Sequence, residues 1–104
     1  MKNYVLAYTG GGTPPTEEER EQAMAAWGAW FGSLGDAVVD AGNPFGEARS
    51  IASDGAVANG GSAGLTGYSL LAADDIDAAV AKALSCPILA SGGGVQVYEV
   101  YPVM

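Results

Sequence analysis

The chain has 104 residues, the size of one domain around one core. Hydrophobic residues make up 49% of it, which excludes a disordered chain, and no apolar run approaches the ~20 residues of a membrane-spanning helix. The net charge is −8, from 12 acids against 4 bases, which excludes nucleic acid and anionic membrane surfaces as partners.

Two absences narrow the chemistry. There is no histidine and only one cysteine, Cys86. Ser-His and Cys-His nucleophile pairs are therefore excluded, as are Cys/His zinc sites and disulfides within the chain. Any acid–base work falls to Asp, Glu, Tyr or Lys. No cofactor and no metal is expected. The opening Met1-Lys2-Asn3-Tyr4 carries no apolar leader, so the expected location is the cytoplasm.

Residues 3–9 are aromatic and β-branched and read as a strand. Gly10-Gly11-Gly12-Thr13-Pro14-Pro15 breaks it. No Lys-Ser/Thr follows these glycines, so the segment reads as a connection rather than a phosphate loop. Thr16 to Glu19 fits a capping box and opens a helix. Met24, Trp27, Phe31, Leu34 and Val38 recur at helical spacing, and Gly42 is a natural stop, so the helix is expected over 16–41. Gly28 and Gly32 share one side of it, which predicts close approach of a neighbouring element.

Asn43-Pro44-Phe45-Gly46 is a turn, and 47–52 reads as a weak second strand. Ser53-Asp54-Gly55 is a hairpin signal, with the return beginning at 56–58 and a break at 59–64. Residues 65–71 are the best central strand. Asp74 is expected to cap a second helix with Ile76, Val80 and Leu84 as its buried stripe and Ala79 and Ala83 beside it, ending at Cys86 before Pro87. The last strand is expected over 95–101.

The order is β-α-β-β-α-β over a single domain, 1–104. The fold class is α+β: a ferredoxin-like plan with a four-stranded antiparallel sheet and two helices on one face. Two helices cover one sheet face, yet the strands are apolar on both. Val5 and Ala7 oppose Tyr4, Leu6 and Tyr8; Tyr68 and Leu70 oppose Leu65, Ser69 and Leu71; Tyr98 and Val100 oppose Val95 and Val97. A second copy of the chain is expected on the uncovered face. Tyrosines there suit a small-molecule cavity. The candidate ligand-binding residues are Tyr4, Tyr8, Tyr68 and Tyr98, with Trp27, Asn43 and Phe45. No catalytic residue is assigned.

Tyr4-Val5-Leu6-Ala7-Tyr8, Gly67-Tyr68-Ser69-Leu70-Leu71, the Asp-Gly hairpin, Cys86-Pro87 and the closing Gly94–Val100 resemble, in their order, the YCII-related (DGPF-domain) family. The resemblance implies a dimeric α+β barrel. Relatives in the wider superfamily include cofactor-free oxygenases and isomerases, and the family's enzymatic members are associated with a His–Asp pair that has no counterpart here. The Asp-Gly-Pro-Phe signature falls near Asn59-Gly60-Gly61-Ser62, without its acid, Pro or Phe. The expected function is a homodimer binding a small, partly apolar molecule. The alternatives are a cofactor-free oxygenase, isomerase or lyase acting on a small ring compound, and a structural or interaction protein with no site.

Overall fold

The computed structural model describes residues 1–11, 16–61 and 63–102. The expected loop at 12–15, Ser62 of the 59–64 break, and Val103-Met104 lie outside the described residues. Strand β1 (Lys2–Thr9) leads to helix α1 (Glu17–Leu34), a 3-10 turn (Gly35–Ala37) and strand β2 (Val38–Asp40). A hairpin follows, β3 (Arg49–Ile51) and β4 (Val57–Asn59). Then come β5 (Leu65–Ala73), α2 (Ile76–Ala83), α3 (Pro87–Ala90) and β6 (Gly94–Val100). The fold is α+β. Its main sheet is antiparallel and four-stranded, in the order β2-β5-β1-β6.

The second strand of that sheet is not the one expected. Helix α1 ends at Leu34, because Gly35 takes φ +56°, a backbone conformation that leaves the helix. Val38 keeps Leu34's helical spacing, but it has already turned into β2. The segment expected as the second strand, 47–52, pairs only with 57–59, in a separate two-stranded sheet. Its turn is the expected one: Gly55 takes φ +91°, and the Asp54 carboxylate accepts from the Ala56 amide at 2.9 Å.

Thr16 caps α1 as expected, its hydroxyl oxygen accepting from the Glu19 amide at 3.1 Å. The buried face differs from the expected stripe. Trp30 is its deepest residue, Trp27, Phe31 and Leu34 flank it, and Met24 is exposed. Gly28 and Gly32 face open space, so no close approach explains them.

In α2 the cap is Asp75 rather than Asp74; its carboxylate accepts from the Ala78 amide at 2.8 Å. The expected stripe is corrected too. Ile76, Val80 and Leu84 are exposed, while Ala79 and Ala83 are buried. Small side chains let α2 sit close on the sheet, over Tyr4 and Ala73. The helix also stops earlier, at Ala83, and Pro87 opens α3 instead of ending α2.

The core lies between sheet and helices. Tyr4, Leu6 and Tyr8 of β1 face it together with Ser69, Leu71 and Ala73 of β5. Trp30, Ala79, Ala83, Cys86 and Ile88 close it from the helical side. The body is two layers thick. The chain measures 44 × 42 × 18 Å with a radius of gyration of 15.0 Å, against about 13 Å for a compact domain of ~100 residues.

Candidate functional site on the open sheet face

The candidate residues divide between the two sides of the sheet. Tyr4 and Tyr8 lie under the helices, Tyr4 at 0% exposure. Trp27 packs edge-on against Tyr8, ring centres 5.2 Å apart. Phe45, Tyr68 and Tyr98 belong to the opposite side. Asn43 sits between: its carbonyl accepts from the Tyr68 amide at 3.3 Å, which makes it a backbone anchor.

The helix side is filled. The Tyr8 hydroxyl donates to Ser69 Oγ at 2.7 Å, and Ser69 Oγ donates to the Ala41 carbonyl at 2.7 Å. Trp30 Nε1 donates to Ser85 Oγ at 3.0 Å and to the Lys82 carbonyl. Burial pushes the Tyr8 phenol above the ordinary tyrosine value, the Ser69 hydrogen bond offsetting part of this. Burial also raises the Cys86 thiol. Both groups therefore stay protonated near neutral pH and act as packed, neutral core groups. Tyr4 is raised by burial and by the Glu99 carboxylate. Its hydroxyl is buried with no hydrogen-bond partner among the described residues.

The other side is open. Strand alternation and register put Val5 between Leu70 and Tyr98, Ala7 between Tyr68 and Gln96, and Asn3 between Ala72 and Val100. No helix among the described residues packs there. Strands β1, β5 and β6 present no charged side chain on this side; Lys2 and Glu99, 3.8 Å apart, belong to the helix side. In a chain of net charge −8 this is a largely apolar surface, with Asp40 of β2 at its edge beside Leu70.

Local sequence builds an aromatic wall on it. Gly42 takes φ +78°, and a Cβ there would run into the Tyr68 carbonyl, so only glycine lets the chain pass this close to β5. Gly67 likewise leaves room for the backbone of Asn43 and Pro44. Pro44 bridges to Gly67, and the Phe45 amide donates to the Thr66 carbonyl at 2.9 Å. These contacts hold the Phe45 ring stacked on Tyr68, centres 5.7 Å apart and planes at 19°. Across the sheet, the Tyr98 hydroxyl donates to Gln96 Oε1 at 2.8 Å. Ala7 lies between these two walls. With strands ~4.8 Å apart, the trough it floors is roughly 10 Å wide, the scale of a single ring.

Sequence reasoning missed Ala7 and Gln96. Their alternation was readable, but their placement opposite Tyr68 depends on register. No family model, curated protein or solved structure matches the chain.

Proposed function

We propose that the chain is a homodimeric binding module. A second copy covers the open sheet face, and a small, neutral, partly apolar molecule lies in the trough between Phe45–Tyr68 and Gln96–Tyr98. The observation that carries this reading is a largely apolar face, walled by aromatics and floored by Ala7, without charge on β1, β5 and β6 and edged by Asp40 of β2, that no described helix covers. Self-association is favoured there because copies of charge −8 meet with least repulsion on a surface whose one charge on the strands is Asp40 at the β2 edge. Tyr68 and Tyr98 supply flat apolar contact, and Gln96 supplies an amide to orient a polar group on the ligand.

The strand order β2-β5-β1-β6 with both long helices on one side supports the ferredoxin-like plan. The buried Tyr8–Ser69 chain gives the enzyme alternative no support, because it ends on a backbone carbonyl and its phenol is held protonated.

Phenol and indole serve as probes in saturation-transfer NMR. The expected result is signal transfer to at least one of them, lost in Ala7→Leu, whose side chain fills the floor. Equal transfer in wild type and Ala7→Leu, or none to either probe, contradicts the site.

A further inference from the structure

The hairpin β3–β4 stands apart from the body. It forms its own two-stranded sheet, and among the described elements no helix and no strand of the main sheet packs broadly against it. An isolated two-stranded hairpin is marginal in water. This one also carries an apolar pair. Ile51 and Val57 are directly opposite in register and are 74% and 65% exposed. Cross-strand partners share a side, so this pair opposes Ser50–Ala58. Ser50, with Ala48, Phe45 and Leu65, lines the groove of ≈ 380 Å³ at the base of the hairpin. The apolar pair is therefore turned away from the groove where the chain meets its own hairpin.

The open sheet face points to what covers it. Strands β1, β5 and β6 of 8, 9 and 7 residues and β2 of 3, set ~4.8 Å apart, give a footprint on the order of 400 Å². A stable interface needs roughly 800 Å² from each partner. The face alone falls short, and Ile51 and Val57 of the hairpin are further exposed apolar surface.

We propose that the hairpin is an exchange arm: each copy lays Ile51 and Val57 on the second copy, and the two arms complete the dimer interface begun by the sheet faces. This rests on the dimer reading above for the identity of the partner, whereas the orphaned pair is an independent observation.

The test is sedimentation equilibrium of the full chain at micromolar concentrations, for wild type, the double variant Ile51→Lys/Val57→Lys, the conservative double variant Ile51→Val/Val57→Ile, and Leu70→Lys on the open face. Circular dichroism checks that each is folded. The arm variant is expected to weaken the dimer by about a hundredfold, with helix content unchanged, while the conservative variant keeps the wild-type constant. An unchanged dissociation constant in Ile51→Lys/Val57→Lys overturns the arm. If that variant stays dimeric while Leu70→Lys becomes monomeric, the face reading stands and the arm falls. If only the arm variant dissociates, the arm stands and the face reading falls. A monomeric wild type overturns both.

Discussion

Ser69 is the most informative single position for the core. It is fully buried, accepts from the Tyr8 hydroxyl and donates to the Ala41 carbonyl, both at 2.7 Å. Ser69→Ala removes little volume, so the cost is polar rather than steric. It leaves the Tyr8 hydroxyl and the Ala41 carbonyl without this partner. The buried Tyr8 hydroxyl left unpaired costs about 1–3 kcal/mol, while the carbonyl of exposed Ala41 can turn to solvent. For a domain of this size each kcal/mol lowers Tm by roughly 4–8 °C. Tyr8→Phe added to Ser69→Ala removes that unpaired hydroxyl. The double variant is therefore expected to lose less than the sum of the singles, with a coupling of about 1 kcal/mol. Urea unfolding of the four proteins, followed by circular dichroism, closes the cycle. A Ser69→Ala cost below about 0.5 kcal/mol, or strict additivity, refutes the view that this chain of hydroxyls is a satisfied core network.

Three further outcomes follow from the same structure. Tyr8 holds its proton more tightly folded than unfolded. Its contribution is intact below the unfolded value near 10 and is lost as pH rises above it, by up to ~1.4 kcal/mol per pH unit. Tyr8→Phe should flatten the fall in stability measured by urea titration between neutral pH and strongly alkaline pH; an unchanged slope contradicts this. Cys86 is 3% exposed with its thiol raised by burial, so labelling by a disulfide reagent should be at least ~100-fold slower in native protein than in urea, and equal rates contradict the buried placement. Gly42→Ala meets both a φ of +78° and the Tyr68 carbonyl, and is expected to cost more than about 2 kcal/mol in urea unfolding; a neutral effect refutes the close passage along β5.

The sequence disclosed the long strands better than their neighbours. Residues 3–9 and 67–71 alternate over enough positions for their two faces to be read, and both sort in the structure as their parity requires, whereas a register shift takes Leu65 off the buried side expected with Ser69 and Leu71. Two apolar faces on one sheet were legible for the same reason. The end of α1 was not, because Leu34 and Val38 continue a helical spacing across Gly35, and only the backbone angle at Gly35 reveals the break. The three-residue strand β2 is too short to carry an alternation of its own. In α2 the larger Ile76, Val80 and Leu84 suggested the buried stripe. Close packing instead selected Ala79, in the cluster of Tyr4, and Ala83, in that of Leu6 and Trp30, one step around the helix. The tyrosines were legible as important but not as divided. Their separation onto two sides follows from the register of three strands, which composition does not encode.

The open face is the centre of the account, and its most direct test is a native mass spectrum of wild type beside Leu70→Lys. Leu70 lies in the middle of that face, next to Val5. The account predicts twice the chain mass for wild type and the single-chain mass for a folded Leu70→Lys. A wild-type monomer, or a Leu70→Lys variant that keeps the wild-type mass, contradicts it.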